Sequence, residues 1–373
     1  MLPFTRPTIG DEELNAVKEV LESRWLASGP KAIALERALA NYIGADRIIA
    51  RVFNSGTSAL EACLLAGNVG PGDEVIVPAI SFVATANVVV RVGARPVFVD
   101  VDLHSRNLCI EKIVAALTPR TRAIMPVHFS GLAVDIDPIY KLAAEKNLLV
   151  IEDAAHAIGT AYKQRKIGAS GNPVCFSFHP NKNMTTIEGG AVTCDDPQFI
   201  KRLDRIRFHG IERDDVGNMD VPEWGGKMNL ADVGAALGLA QLPKLDGFNA
   251  RRRVLAERYL KQLPNTDTLV LPATDPGNSW HMFCVCIDYR ALGTTRAKVQ
   301  TDLQARGIGT GIHYPAMHLF SLYRRYGYGP GDFPIAERIG AQTLTLPLFP
   351  TMTEADVDQV CTAITHIVSS GSK

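Results

Sequence analysis

Runs of consecutive apolar residues alternate with helix-like segments through the first half of the chain. The apolar runs include residues 75–77, 96–99 and 148–151, and helix-like stretches such as 85–92 and 138–145 lie between them. Strands that are apolar throughout, and not only at every second position, are typical of strands buried on both faces. The pattern therefore predicts an α/β fold with a largely parallel sheet between layers of helices.

The two ends of the chain predict further elements. Asp11 can cap a first helix whose apolar face is formed by Leu14, Val17 and Leu21 at helical spacing. At the other end, a strand at residues 282–287, a helix that starts at residue 296 and a terminal helix form a separate α+β pattern. The sequence thus indicates helices before the main sheet and a smaller unit after it.

The composition mainly excludes classes of partner. Of the 373 residues, 46% are hydrophobic and 21% are charged, and the formal net charge is +0. Nucleic acids and anionic membranes call for a basic excess or patch, so we predict neither as a partner. The start of the chain has no signal-like apolar core and no later segment is long enough to span a bilayer, which predicts a cytoplasmic location.

The seven cysteines do not indicate a metal site. They are scattered in apolar contexts, without a CxxC pair and without histidines at zinc-binding spacing. We predict that they are reduced residues of the core and that the protein holds no metal. A metal hydrolase, which needs clustered ligands, is disfavoured for the same reason.

A turn of small residues follows the β-like run 48–53. Residues 54–58 read Asn-Ser-Gly-Thr-Ser and lead into a helix-compatible segment. The unpaired N–H groups and the dipole at such a helix start favour an anion such as phosphate. The turn lacks the lysine of a nucleotide P-loop, and Ser55 and Thr57 are equally compatible with simple helix caps. This segment alone leaves both interpretations open.

One lysine lies in a polar loop that ends in glycines. Lys182 follows the apolar run 174–176, and the loop closes at Gly189 and Gly190. A lysine that forms a Schiff base needs surroundings that help it lose its proton and a carbonyl partner fixed beside it. Most loop lysines are solvated and inert, so other segments must supply that partner.

Candidate partners follow the predicted strands. Phe82, His128 and Asp153 each come after an apolar run, and His156 lies three residues beyond Asp153. Ligands of parallel sheets gather at these carboxyl ends. Taken singly, such an aspartate or histidine usually satisfies a neighbouring backbone group. An aromatic ring, an acid and Lys182 near a phosphate turn form a more specific set.

These motifs, taken in order, resemble the DegT/StrS family of sugar aminotransferases. The likeness lies in residues 55–60, 152–156 and 176–190 and extends to residues 346–350. The family uses pyridoxal 5'-phosphate (PLP) on the type I, aspartate aminotransferase-like fold. The resemblance implies a large domain with a mostly parallel seven-stranded sheet and a smaller C-terminal α+β domain. We divide the chain into an N-terminal arm (1–30), a large PLP-binding domain (31–245) and the smaller domain (246–373).

The resemblance also implies roles for single residues. Lys182 forms the internal aldimine with PLP, and Asp153 pairs with the pyridine nitrogen of the cofactor. The motif 225–229 departs from the family, because Gly226 and Met228 stand where relatives commonly have tyrosines. The further implied cofactor contacts are Gly56, Thr57, Ser58, Phe82, His156, Ser177 and, across a dimer interface, Asn229. The candidate substrate contacts are Lys31, Arg207, His313, Tyr314 and His318.

The implied reaction moves an amino group from L-glutamate to a nucleotide-linked keto sugar, in a homodimer with the active site at its interface. Residues 7–31 and 306–313 resemble family members that aminate a UDP-linked 4-keto pentose, so we expect a UDP-4-keto sugar. A GDP- or dTDP-linked keto hexose and a cyclitol ketone stay open. The alternative from another class is a non-catalytic regulatory protein of the same fold, against which the pair Lys182 and Asp153 argues.

Overall fold

The computed structural model describes residues 1–370. Short 3-10 turns at Phe129–Gly131, Leu242–Lys244 and Met317–Leu319 interrupt the longer elements. In chain order, the helices are α1 (Asp11–Ser23), α2 (Pro30–Ile43), α3 (Gly56–Ala66), α4 (Ala84–Arg91), α5 (Ile110–Ala115), α6 (Asp137–Lys146), α7 (Pro197–Ile206), α8 (Asp232–Gln241), α9 (Leu245–Gln262), α10 (Arg296–Ala305), α11 (Ser321–Arg324), α12 (Pro334–Gln342) and α13 (Glu354–Ser370).

The strands are short, and several consist of two residues. In chain order they are β1 (Ile49–Phe53), β2 (Glu74–Pro78), β3 (Arg95–Val99), β4 (Thr121–Ile124), β5 (Leu149–Val150), β6 (Glu152–Asp153), β7 (Ala161–Tyr162), β8 (Arg165–Lys166), β9 (Val174–Ser177), β10 (Gly190–Cys194), β11 (Glu212–Arg213), β12 (Met219–Asp220), β13 (Leu269–Val270), β14 (Phe283–Ile287) and β15 (Thr343–Leu346).

One central sheet positions the site. Its two halves have the strand orders β3-β2-β4-β5 and β6-β9-β10-β1, and β5 and β6 are consecutive parts of one segment. A parallel bridge between Val127 and Asp153 joins the halves. With that segment counted once, residues 1–370 contribute seven strands to the sheet, and only β10 runs antiparallel to its neighbours. The predicted mostly parallel sheet is confirmed.

Helices cover both faces of this sheet. Successive side chains of a strand point to opposite faces. Accordingly, Cys175 of β9 packs in one apolar core with Leu64 of α3, while the next residue, Phe176, packs in another core with Leu35 of α2. Burial on both faces explains why the strands are apolar throughout.

A third apolar core lies in the last part of the chain. It combines Tyr259 of α9, Phe283 of β14, Leu344 of β15 and Val360 of α13 around the antiparallel sheet β13-β14-β15. The N-terminus also reaches this region, because the backbone of Leu2 bonds to residues 307 and 309. The domain boundaries at residues 30 and 245 stay predictions.

Helix α1 differs from the sequence-based expectation. Its N-cap is Gly10 and not Asp11. Leu14 and Leu21 are 62% and 54% exposed, whereas Glu13 is buried. Glu13 accepts a hydrogen bond from the Gln241 amide at 2.7 Å, so the polar edge of α1 faces α8. Leu14 and Leu21 of the predicted apolar face therefore point away from the chain's own core, whereas Val20 of the same helix is buried.

The start of α2 is capped by a residue distant in sequence. The Asp232 carboxylate of α8 accepts hydrogen bonds from the backbone N–H groups of Gly29 at 2.8 Å, Lys31 at 3.0 Å and Ala32 at 3.0 Å. These groups have no intrahelical partner, so the carboxylate both caps α2 and ties it to α8.

We expect Asp232→Ala to lower the free energy of unfolding by about 1–3 kcal/mol, because three partly buried N–H groups lose their acceptor. Urea denaturation at equilibrium measures this loss. Asp232→Asn keeps one acceptor oxygen and should cost clearly less. An alanine variant as stable as the native protein contradicts the capping role.

Candidate active site

The turn of small residues lies at the carboxyl end of β1 and starts α3. Ser55 is the N-cap, and its Oγ accepts a hydrogen bond from the Ser58 N–H at 3.0 Å. The first N–H groups of a helix lack intrahelical partners, and here they belong to Gly56 and Thr57, which border a cavity. The turn thus combines a helix cap with a possible anion site.

Close backbone packing fixes this turn against the sheet. A Cβ atom on Gly56 would lie 2.9 Å from the Cβ of Ser177, and one on Gly190 would lie 2.6 Å from the backbone nitrogen of Gly56. Both contacts are too short for any larger residue. The two glycines therefore let the Ser177 hydroxyl approach the start of α3.

Asp153 lies at the carboxyl end of β6 and is 4% exposed. Its Oδ2 accepts a hydrogen bond from the Thr85 hydroxyl at 2.7 Å, and its Oδ1 accepts one from the Ala155 N–H at 3.1 Å. Burial raises the pKa of Asp153, although these two donors and the charge of Lys182 act in the opposite direction. A buried carboxylate of this kind is well suited to a cationic ligand group.

Lys182 lies in the loop between β9 and β10. The Lys182 N–H donates to the His179 carbonyl at 2.8 Å, and the loop is closed by a bond from the Phe178 N–H to the Gly189 carbonyl at 2.8 Å. Burial lowers the pKa of the Lys182 amine to about 8, against the opposing effect of the Asp153 charge. A sizeable neutral fraction makes this amine a nucleophile near neutral pH.

Aromatic side chains form another wall. The rings of Phe82 and Tyr314 are 5.9 Å apart, and Phe82 is 53% exposed. His156 Nδ1 accepts the Ser130 N–H at 3.3 Å, so the neutral ring carries its proton on Nε2, which lies 3.3 Å from the Tyr314 hydroxyl. Burial lowers the pKa of His156 well below its usual value, which keeps the ring neutral.

These groups converge on one cavity of about 410 Å³. Ser58 lies one residue beyond its lining, in the first turn of α3. The predicted residues that line the cavity together are Gly56, Thr57, Phe82, Asp153, His156, Ser177, Lys182, His313 and Tyr314. An amine, a carboxylate, a helix start and aromatic rings in one cavity can hold an anionic aromatic carbonyl compound and carry out amine chemistry on it.

Comparison with known proteins agrees with this chemistry. Residues 7–365 match a model of the DegT/DnrJ/EryC1/StrS aminotransferase family. The chain belongs to this family.

Solved structures of aminotransferases are similar over nearly the whole chain. DesV from S. venezuelae, solved with a ketimine intermediate, is 34% identical, with a TM-score of 0.89 over 97% of this chain and 95% of DesV. Helicobacter pylori PseC, an aminotransferase involved in the biosynthesis of pseudoaminic acid, is 28% identical, with a TM-score of 0.91 over 99% of each chain. The PLP form of Spr1654 from Streptococcus pneumoniae is 28% identical, with a TM-score of 0.92 over both whole chains.

This protein is therefore a PLP-dependent sugar aminotransferase with the type I fold. The predictions of family, fold class, enzyme class and cofactor are confirmed. Within residues 1–370, no group of side chains is arranged to hold a metal ion, and no helix has the length and apolarity needed to cross a bilayer. All seven cysteines are free thiols, and only Cys109 is partly exposed.

Several cavity residues of this aminotransferase are absent from the predicted set. Ser81 lines the cavity just before α4, and its hydroxyl lies 2.8 Å from that of Thr85 in the first turn of α4. Two hydroxyl residues four positions apart around a helix start are a weak signal that could have linked them to Asp153. His179 and Glu188 also line the cavity and belong to the same loop as Lys182.

Three predicted contacts lie elsewhere, around a second cavity of about 880 Å³ beside α2 and β1. Asn229 and Arg207 line it. The Asn229 amide donates to the Ser28 hydroxyl at 2.6 Å, and Arg207 pairs with Glu36 at 2.6 Å. Lys31 is adjacent to the lining, and its amine lies 3.5 Å from a carboxylate oxygen of Glu19. Their proposed roles toward phosphate, nucleotide or donor stay predictions.

His318 does not reach the active-site cavity. It is fully buried, its Nε2 lies 3.1 Å from a Glu337 oxygen, and its ring packs edge-on against Phe333. We therefore correct its assignment as a sugar contact, because the side chain points into the packing around α12. His128 is also buried, and its Nε2 lies 2.8 Å from Glu152.

Proposed function

We propose that this sugar aminotransferase moves an amino group from L-glutamate to a nucleotide-linked keto sugar, with Lys182 as the group that binds PLP covalently. The observation that carries the proposal is the meeting of three features in one cavity. These are the Lys182 amine with its lowered pKa, the buried Asp153 carboxylate and the start of α3.

The residues of the cavity fit PLP. The cofactor supplies an electron sink, which weakens the bonds of the carbon attached to its imine nitrogen. The Lys182 amine would hold the cofactor covalently, and the Asp153 carboxylate would accept a hydrogen bond from its ring nitrogen and favour the protonated form of that nitrogen. The N–H groups at the start of α3 and the Ser177 hydroxyl would hold its phosphate. Phe82, which lines the cavity, would cover one face of the cofactor ring.

Lys182 has a second role once an amino donor has released it. Its pKa of about 8 lets the amine accept and return a proton near neutral pH. As a base, the Lys182 amine would take up and return the proton of the donor carbon. The neutral His156 and the Tyr314 hydroxyl, 3.3 Å apart, bound this space and limit the entry of water.

Exposed apolar side chains support the proposal of a homodimer. Leu14 and Leu21 on α1, Trp25 after it, and Trp224 near the hairpin β11-β12 are each more than half exposed. Large apolar patches of this kind mark interaction sites. The Asn229 Oδ1 atom is also buried without a hydrogen-bond partner among residues 1–370. We propose that a second copy covers these groups and that Asn229 reaches the phosphate across the interface.

The acceptor we propose is a UDP-linked 4-keto sugar, on the resemblance of residues 7–31 and 306–313. GDP- and dTDP-linked keto hexoses and a cyclitol ketone are the alternatives with the same chemistry. A regulatory protein without turnover is disfavoured because Lys182 and Asp153 are both in the cavity. The cytoplasmic location stays a prediction from the sequence.

The absorption spectrum tests both halves of this proposal. We expect a yellow PLP-bound protein whose visible band fades on addition of L-glutamate, because the amino group passes to the cofactor. The band should return when the correct keto acceptor is added. UDP-, GDP- and dTDP-linked 4-keto sugars and a cyclitol ketone are compared at equal concentration. If the band returns with an acceptor that is not linked to UDP, the proposed acceptor is wrong. If L-glutamate leaves the band unchanged, the proposed donor is wrong.

A further inference from the structure

A buried polar cluster lies directly behind Lys182. The next residue, Asn183, is buried, and its amide nitrogen donates to the Asn249 Oδ1 at 2.7 Å and to the Ser279 carbonyl at 2.9 Å. The Asn183 Oδ1 lies 3.2 Å from His281 Nδ1. The cluster thus joins the Lys182 loop to α9 and to the segment before β14.

The hydrogen bonds of this cluster determine the protonation of His281. The Asn249 amide nitrogen donates to the Ile158 carbonyl at 3.2 Å, so the Asn249 oxygen is an acceptor. Asn183 must then use both of its N–H groups as donors, and its oxygen can only accept. His281 Nδ1 therefore carries the proton and donates. Burial lowers the pKa of His281 well below its usual value, which keeps this ring neutral.

Only one side of the His281 ring is bonded. Its Nε2 atom is buried and has no hydrogen-bond partner among residues 1–370. The charged and titratable groups around the ring are Lys182, Arg252, His156 and His313. Since none of them is a carboxylate, nothing near the ring favours a second proton. His281 therefore takes part in the polar cluster through the hydrogen bond from its Nδ1 to the Asn183 oxygen.

We propose that Asn183 and His281 are positioning residues that fix the backbone of Lys182. Asn183 forms the hydrogen bonds to the neighbouring segments, and His281 Nδ1 donates to the remaining polar atom of its side-chain amide. The inference rests on the proposed role of Lys182. A lysine amine is carried by a flexible four-carbon chain, so its reach depends on how firmly its Cα atom is held. Amide bonds from residue 183 to two other segments supply that constraint.

Two substitutions at residue 281 distinguish the effect of the hydrogen bond to Asn183 from the effect of side-chain packing. In His281→Asn, the side-chain nitrogen takes the place of Nδ1 and can still donate to Asn183. In His281→Gln, the polar atoms lie near the position of Nε2, and Asn183 loses its donor. Asparagine leaves the larger void, so a role in packing alone predicts that asparagine is the more harmful change.

The measurement is the rate at which the apo-protein binds PLP covalently, followed by absorbance and by borohydride trapping of the labelled peptide across pH. We expect His281→Asn to behave like the native protein, with a pH midpoint near the Lys182 pKa of about 8. His281→Gln should react about tenfold more slowly, the size expected when one buried acceptor loses its donor. Its midpoint should also move upward, because a loosened amine reaches water.

Asn183→Ser is the second variant and should slow the reaction at least as much as His281→Gln, because a serine hydroxyl can replace at most one of the two donor bonds of the Asn183 amide. The inference is overturned if all variants bind PLP at the rate of the native protein. It is also overturned if His281→Asn reacts more slowly than His281→Gln. If the native protein carries the trapped label on a lysine other than Lys182, the proposed function fails instead. The two failures are therefore distinguishable.

Discussion

Replacing Lys182 with alanine is expected to abolish amino transfer and to lower kcat by more than about 10³-fold, because one substitution removes both the proposed covalent anchor and the proposed base. The fold should persist, because the loop is closed through the backbone of residues 178 and 189 and not through the Lys182 side chain. The measurement combines turnover with L-glutamate and a keto sugar, borohydride trapping of PLP, and thermal unfolding of the apo-protein.

Two controls support this test. Lys182→Arg keeps the positive charge but cannot form the covalent bond, so it should be as inactive as the alanine variant. Lys163→Gln changes another lysine of a polar turn, which is exposed and paired with Asp137 at 2.5 Å, and should leave turnover unchanged. Full activity in Lys182→Ala removes the proposed role of this lysine.

Much of the fold follows from local patterns. Continuous apolarity in β2 predicts a strand buried on both faces, and all of its residues from Glu74 to Pro78 are buried. Because parallel strands end at the same edge of a sheet, strand order alone brings Asp153 close to the turn at residues 55–58. Lys182 joins them because its loop connects two strands of the same sheet. For these features, the local sequence pattern was sufficient to predict the structure.

Other features depend on contacts that no local pattern contains. His318 stands near His313 and Tyr314 in the sequence, yet its pairing with Glu337 turns it away from the cavity. The stripe of Leu14 and Leu21 on α1 is helical as predicted but is exposed. Sequence periodicity shows that an apolar face exists and does not identify what covers it.

The buried polar groups around the site were the hardest to foresee. Thr85 and His281 act through single hydrogen bonds to residues 68 and 98 positions away. A threonine at a helix start and a histidine near a strand have many ordinary roles, so neither residue type is informative alone. Only the three-dimensional arrangement shows that each supports a neighbour of the proposed cofactor.

We expect Asp153→Asn to lower kcat by about 10²- to 10⁴-fold, as the loss of a buried charge partner is worth about 3–5 kcal/mol. Asparagine has nearly the same shape, and its amide can still bond to the Thr85 hydroxyl and the Ala155 N–H. The fold and the covalent bond to Lys182 should therefore persist. What disappears is the negative charge that, in the proposed role of Asp153, keeps the ring nitrogen of PLP protonated.

Thr85→Val is the matched control for Asp153, because valine keeps the shape of threonine and removes the hydroxyl that bonds to the carboxylate and to Ser81. Burial already raises the pKa of Asp153, and the Thr85 hydroxyl opposes that rise. Without it the pKa should rise further, so kcat should fall modestly and the fall should grow as the pH is lowered. In Asp153→Asn the loss should be large at every pH, since no ionisable group remains. The role of this carboxylate is contradicted if the loss of kcat in Thr85→Val does not depend on pH, or if Asp153→Asn keeps full activity.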